Sequence, residues 1–305
     1  MPWTRNVQKE SQKRVPELPE VETVRRGLSD LIIGRVVKAA ISIDSPKSFP
    51  NDPASVKEFL INASIIDVQR RAKVLLIDLS TEYTLVIHLK MTGQLVYRGE
   101  TQFGAGHPND SLVGELPDRS TRVDIQFADG SHLFFNDQRK FGWVKLYPTL
   151  EVPNIDFMQR VGPEPLEDSF TAQEFIPRMR RRNNTTVKAA ILDQTVLAGV
   201  GNIYADESLW GASIHPAMRV RDVSDEQLTL LLSEIKFVMN LSIEKGGSTD
   251  KNYVNAEGKR GSYIDFARVF RKEGTPCPRH PGVIVEKIRV AARGTHICPV
   301  CQMLQ

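Results

Sequence analysis

The tail CPRHPGVIVEKIRVAARGTHICPVC, residues 277–301, constrains this chain more than any other stretch. It places Cys277, His280, Cys298 and Cys301 as a C-x2-H and a C-x2-C pair with seventeen residues between them. Each pair can close a tight knuckle, and the residues between alternate like a β-hairpin. Thiolates and an imidazole with no open position describe one structural zinc, bound tetrahedrally by Cys3His, although His296 is near enough in sequence to compete for the fourth place. The chain's three cysteines all fall in this tail. A disulfide framework would distribute them, and isolated core thiols would not share this spacing. Such a metal supplies folding energy to a segment too small to build its own core.

Upstream, hydrophobic periodicity changes character twice. In LPEVETVRRGLSDLIIG the apolar positions Leu18, Val21, Val24, Leu28 and Leu31 recur every three or four residues, with Pro19 in the first turn and Gly34 at the end: an amphipathic helix. From 35 to 148 the runs are short and β-rich (VVKAAISI, SIIDVQRRAKVLLIDL, TLVIHLKMTGQLVY, TRVDIQFADGSHLFF, GWVKLY), which predicts a sandwich or barrel. FGAGHPNDSLVGELPDRS, 103–120, reads as a polar insertion, and Pro- and acid-rich VGPEPLEDSF as a linker. TAQEFIPRMRRR, TVKAAILDQTVL, NIYADESLWGA and DEQLTLLLSEIKFVMNLSIE then read as helices, followed by an irregular, glycine-rich stretch at 245–262.

Charge matters through its placement. The 305 residues carry 40 Lys plus Arg against 37 Asp plus Glu, so the global field is weak, but 178–188 holds five basic side chains and no acid. Residues 259–293 hold nine basic against three acidic. Two local positive surfaces suit a polyanion. No run of eighteen apolar residues exists to span a membrane, and the first fifteen residues lack the apolar stretch of a secretory signal, which makes the cytoplasm the default expectation.

PELPEVETVRRGL, RRAKVLL, HLKMTGQL, DQRKFGWV, GPEPL, LDQTVLAGVGNIYADESLW, GGST and the cysteine tail, in this order, resemble the bacterial formamidopyrimidine-DNA glycosylase family across roughly 16–305. The resemblance implies an α+β multidomain chain: an N-terminal β-sandwich with flanking helices, a helical domain with a helix–two-turn–helix motif, and a C-terminal zinc-finger β-hairpin. Its expected division is an extension 1–15, a catalytic sandwich 16–150, a linker 151–170, a helix–two-turn–helix domain 171–245, a lesion-capping loop 246–264 and a zinc finger 265–305. It implies a monomer acting on double-stranded DNA, excising oxidised purines such as 8-oxoguanine and then cutting the backbone at the abasic site. The alternative, of a different class, is a zinc-finger protein that binds damaged DNA without cutting it.

The family's nucleophile is an N-terminal proline, here Pro16, with Glu17 as the acid/base beside it. An α-amine, of pKa about 7.7–8.0 against about 10.4 for lysine, is roughly a tenth neutral at pH 7 where lysine is under about a thousandth. A peptide nitrogen has no such lone pair, because it is delocalised into the carbonyl. The chemistry therefore requires that Pro16 be the first residue. Val15 as a GUG start, read as methionine and removed before proline, is the first expectation; proteolytic trimming and a retained, inactivating extension are the others. Met1-Pro2 is discounted, since Trp3 stands where glutamate is needed.

The resemblance also assigns Lys73 and Arg293 to phosphate contact and elimination, and Met91, Arg139 and Phe141 to the wedge that fills the space of an everted base. Flipping loses a few kcal/mol of stacking, which inserted side chains offset. Asn202, in a glycine-opened helix, and Lys188 are expected at phosphates. Glu20 and Glu207 are supporting carboxylates. Departures from the family pattern are His280 for a cysteine, Asn183 for a basic contact, and Arg119-Ser120-Thr121-Arg122 for K-H-x-H, which leaves a histidine contact to DNA either missing or moved to His88 or His107.

Overall fold

In the computed structural model the described residues are 16–107, 109–248 and 263–304. The expected extension, 1–15, and most of the expected capping loop, 249–262, lie outside them. The chain divides into two compact units, residues 1–159 with 245–262, and 160–244 with 263–305.

The first unit opens with helix α1, Leu18–Ile32. Glu17 and Glu20 form a capping box, the Glu17 amide donating to Glu20 Oε2 at 2.8 Å. The face Leu18, Val21, Val24, Leu28 is buried as its spacing dictates, with Ile32 rather than Leu31 completing it, and Gly34 ends the helix at φ +84°.

Among the described residues nine strands follow: β1 Val37–Ser42, β2 Ile65–Arg71, β3 Val74–Leu79, β4 Tyr83–His88, β5 Gly93–Arg98, β6 Gln102–Gly106, β7 Thr121–Phe127, β8 His132–Asp137 and β9 Trp143–Pro148. They form two antiparallel sheets, ordered β1-β7-β8-β5-β6 and β2-β3-β4-β9. Alternate residues of both sheets, among them Leu75, Ile77, Leu85, Ile87, Leu95, Val123, Ile125, Leu133 and Phe135, share one buried cluster with α1. This is the expected sandwich. Val74 and Val86, on the opposite face of β3 and β4, pack beneath Val152, Ile155, Phe157 and Met158.

That roof corrects the linker expectation in part: Thr149–Asn154 is a 3-10 turn and Asp156–Arg160 a short helix. A second correction concerns the insertion at 103–120, whose start is strand β6, with Phe103 and Ala105 in the core. Gln-Phe-Gly-Ala-Gly hides its strand because glycine replaces the side chains that would alternate.

The second unit contains α2 Ala172–Arg180, α3 Val187–Leu192, α4 Asn202–Gly211 and α5 Asp225–Glu244, then a short helix Tyr263–Phe266 and the hairpin β10 Glu286–Val290, β11 Arg293–Ile297. TVKAAILDQTVL is helical only to Leu192. Asp193 accepts from the amide and hydroxyl of Thr195, a local turn that competes with helix continuation. Gln194 then braces the two turns before α4, donating to the Leu192 and Val200 carbonyls and accepting from the Gly199 amide. Every residue of α4 after Asn202 is buried, so this helix is the unit's axis.

Candidate functional site

At the start of α1, Pro16 and Glu17 are buried, Glu17 being 4 % exposed. Glu20 does more than cap the helix, because its Oε1 also accepts the Ser248 amide at 2.8 Å. One carboxylate thus holds the residue after Pro16 and the chain as it enters 249–262. Lys73 sits not within a strand but in the β2–β3 turn, half-buried, beside Ala72 at φ +52°. Arg70 fixes that turn, donating to the Ala72 carbonyl at 3.0 Å and pairing with Glu22 of α1 at 3.1 Å. Glu22 also holds Arg25 and Arg26. Burial raises its carboxyl, but the arginines prevail and its pKa lies below the usual range. The sequence reading missed Glu22; Arg25 and Arg26 meet it at helical spacing, three and four residues on, and the third arginine, Arg70, is brought by β2.

The two turns at the same end of the five-stranded sheet bring Met91, Arg139 and Phe141 together. The Arg139 guanidinium lies 3.1 Å from the Met91 sulfur and 4.7 Å from the Phe141 ring centroid. Phe141 is 52 % exposed, so this is an apolar point with a cationic flank, presented to solvent.

His88 does not suit a cationic phosphate contact. It packs against the rings of Trp143 and Phe157 and its Nδ1 accepts the Lys90 amide. Burial, with Lys90 and Lys73 nearby, pushes its pKa down to about 3, so the imidazole is neutral at physiological pH. His107 is buried too. Arg122, from the divergent Arg-Ser-Thr-Arg stretch, turns inward and donates to the carbonyls of Arg119, Thr121 and Asp137.

In the second unit the expectation for Lys188 is corrected. Its side chain is 0 % exposed, and Nζ pairs with Asp206 at 2.5 Å and donates to Thr295 Oγ1 at 2.7 Å. A charge without solvent contact holds the fold together rather than meeting phosphate. The basic run around it is partly engaged in the same way, Arg180 with Asp225 and Arg182 with Asp193; Arg181 and Asn183 are exposed.

Arg293 is exposed beside the β10–β11 turn, whose Ala291 and Ala292 both have positive φ. The neighbouring Gly294 carbonyl accepts from Asn202 Nδ2 at 3.1 Å and faces Lys188 Nζ at 3.4 Å. Lys188, Asn202 and Arg293 are therefore brought together, with Asn202 gripping the hairpin. Asp206 completes the link, its Oδ2 accepting the His296 amide and meeting Nδ1 of the same residue at 2.9 Å each. His296 is thereby engaged away from the cysteines.

Glu207 is a fully buried carboxylate that accepts the amides of Arg268, Val269 and Phe270 and the Tyr263 hydroxyl. Arg268 pairs with it and with Glu234. It anchors the chain just after residue 262.

The donor atoms of Cys277, His280, Cys298 and Cys301 lie within 4.8 Å of one another. The Cys277 and Cys301 sulfurs are 3.7 Å apart, and His280 Nδ1 is 3.1 Å from Cys301 Sγ. Tetrahedral Zn–S bonds of about 2.3 Å separate sulfurs by about 3.8 Å, so the set fits one structural zinc. Burial pushes the Cys277 thiol up, but the amides of Arg279 and His280, with Cys298 and Trp210, bring it down to about 6. Burial and the other two sulfurs push Cys301 up to about 12. Arg279 docks the first knuckle on the end of α4 through the Trp210 and Gly211 carbonyls, its guanidinium 4.0 Å from the Trp210 ring centroid.

Comparison with known proteins agrees in both units. Residues 15–144 match the formamidopyrimidine-DNA glycosylase N-terminal domain family, and 161–253 the formamidopyrimidine-DNA glycosylase H2TH domain family. A formamidopyrimidine-DNA glycosylase of Herpetosiphon aurantiacus is 43% identical over 289 residues, covering 94% of this chain and 100% of that protein. One of Pediococcus pentosaceus is 40% identical, covering 95% and 100%. Among solved structures, a Lactococcus lactis Fpg mutant with a Fapy-dG containing DNA aligns with a TM-score of 0.83 at 32% identity, over 95% of this chain and 100% of that one. The L. lactis Fpg with an abasic site containing DNA gives 0.82 at 32%, over 94% and 100%.

Proposed function

The chain belongs to the formamidopyrimidine-DNA glycosylase family, and from that premise we propose that it excises oxidised purines from duplex DNA and cuts the resulting abasic site, acting as a monomer at the bacterial chromosome. The observation that carries the reading is the agreement of whole relatives with this chain, 100% of each relative aligning with 94% and 95% of it.

In this reading the Pro16 amine forms a bond to C1′ as the bond from C1′ to the base nitrogen breaks, with Glu17 moving protons at the sugar. The sugar ring then opens, the C1′–O4′ bond breaking as O4′ takes up a proton, and the resulting iminium acidifies the C2′ proton. Loss of that proton expels the 3′ phosphate, and a second elimination expels the 5′ phosphate. Lys73 and Arg293 neutralise phosphate charge as it develops. Met91, Arg139 and Phe141 enter the stack. Zinc, held by Cys277, His280, Cys298 and Cys301, supplies cross-linking rather than chemistry. The amine exists only when Pro16 is terminal; support for that form is that the first family match begins at residue 15.

Borohydride trapping on an 8-oxoguanine duplex tests this. Protein beginning at Pro16 forms a covalent adduct and releases the base, and the chain bearing residues 1–15 does not. Binding of the lesion duplex without an adduct by protein beginning at Pro16 would establish the non-cutting alternative.

A further inference from the structure

Asp137, at the end of β8, is fully buried in the first unit. Its Oδ2 accepts the Phe141 amide at 2.8 Å and the Gly142 amide at 2.6 Å, and its Oδ1 accepts the Arg139 amide at 3.1 Å. These bonds alone would describe a carboxylate that shapes its own turn. A fourth does not: Oδ1 also accepts the hydroxyl of Thr92, which belongs to the separate turn carrying Met91. Thr92 Oγ1 in turn accepts the Arg139 amide at 3.1 Å.

Both turns are compact around a glycine. A Cβ on Gly93 would meet the Leu89 carbonyl oxygen at 2.3 Å, and one on Gly142 would meet the Phe135 ring at 2.6 Å and the His88 carbonyl oxygen at 2.9 Å. Lys90 and Lys140, each immediately before a wedge side chain, take positive φ of 52° and 57°. The turns are thus held in conformations that non-glycine residues disfavour, and the shared carboxylate is what holds them.

We propose that Asp137 is a positioning residue for base eversion, with Thr92 as its second anchor: the two lock Met91, Arg139 and Phe141 into one rigid insert. The proposal rests on the glycosylase reading above. A carboxylate in this place can accept from all four donors, whereas an amide must turn an N–H2 toward some of them. Asp137→Asn therefore loosens the turns without changing their volume, and Thr92→Val removes the link between them while leaving the bonds of Asp137 to the Arg139, Phe141 and Gly142 amides in place.

The test is stopped-flow fluorescence with 2-aminopurine beside an 8-oxoguanine, paired with single-turnover excision and with incision of a preformed abasic site, where no damaged base has to leave the stack. Asp137→Asn is expected to slow the fluorescence step and excision tenfold or more while abasic incision changes less than threefold; Thr92→Val slows the same two steps at least threefold. A folded, zinc-loaded Asp137→Asn that keeps the wild-type fluorescence step, or lowers excision and abasic incision in equal proportion, overturns the proposal. Should Asp137→Asn not fold, Thr92→Val decides by the same criteria. The fluorescence step is read without cleavage, so wild-type protein that cuts neither substrate refutes the glycosylase reading alone.

Discussion

Lys188→Met separates a buried ion pair from a phosphate contact. The substitution keeps most of the side-chain volume and removes the ammonium that sits 2.5 Å from Asp206 Oδ1. Deleting one partner of a buried pair costs about 3–5 kcal/mol. Here Asp206 Oδ2 retains the His296 amide and imidazole at 2.9 Å each, which sets the loss at the lower end, about 3 kcal/mol. The second unit, of about 130 residues, unfolds with an entropy of roughly 0.27 kcal/mol/K, so its Tm falls by about 11 °C. Scanning calorimetry measures that shift. The salt dependence of binding to an abasic-analogue duplex supplies the opposing measurement, since each phosphate contact contributes about 0.9 to the log–log slope. The geometry predicts an unchanged slope at temperatures where the variant is folded. A variant with wild-type Tm whose slope falls by about one would refute the assignment and restore Lys188 to the interface.

Cys298→Ala is expected to lower bound zinc well below one per chain and to abolish DNA binding, and chelation of the wild type to do the same; metal analysis with electrophoretic shift checks both, and full binding without metal would contradict the structural role. His88 gives a pH signature. Its folded pKa of about 3 lies below the ordinary 6.5, so the unfolded chain binds the extra proton between those values and stability from this group, complete above pH 6.5, is lost as pH falls, at up to about 1.4 kcal/mol per pH unit. His88→Gln should flatten the Tm profile between pH 4 and 6.5 relative to wild type; a parallel profile would show that His88 is already protonated in the fold.

Which parts of this molecule were legible in its sequence follows from the range of the forces involved. Helices α1 and α5 were visible because their buried faces repeat every three or four residues, and the metal site because ligand spacing is a local property. Strand β6 was hidden by glycines, and the roof at 149–160 by prolines that suit short helical turns as well as loops. Lys188 was misread because a basic run looks alike whether its charges face water or Asp206, eighteen residues along the chain. Glu22, Arg122 and Asp137 each add to local partners one that is remote in sequence, Arg70, the Asp137 carbonyl and Thr92 respectively, and no spacing rule encodes those pairings. Met91, Arg139 and Phe141 were found by motif, yet the two turns that carry them are joined by a carboxylate and a threonine, Asp137 and Thr92, that the motif does not single out.

The hairpin tip has a last consequence. Ala291 and Ala292 stand at φ +51° and +59°, where each alanine carries a penalty of roughly 1–2 kcal/mol that Asn-Gly would largely avoid. A two-stranded ribbon has little stability of its own, and this one is weighted further against forming. The position of Arg293 thus rests on what holds the ribbon from outside, Asn202 at Gly294, Lys188 at Thr295 and Asp206 at His296, together with the zinc that the four ligands fit; starved of zinc, the tail would lose one of these two supports while the sandwich, whose core contains no metal ligand, would stay folded. Repair capacity in such a cell would be set by metal supply as much as by the amount of protein made.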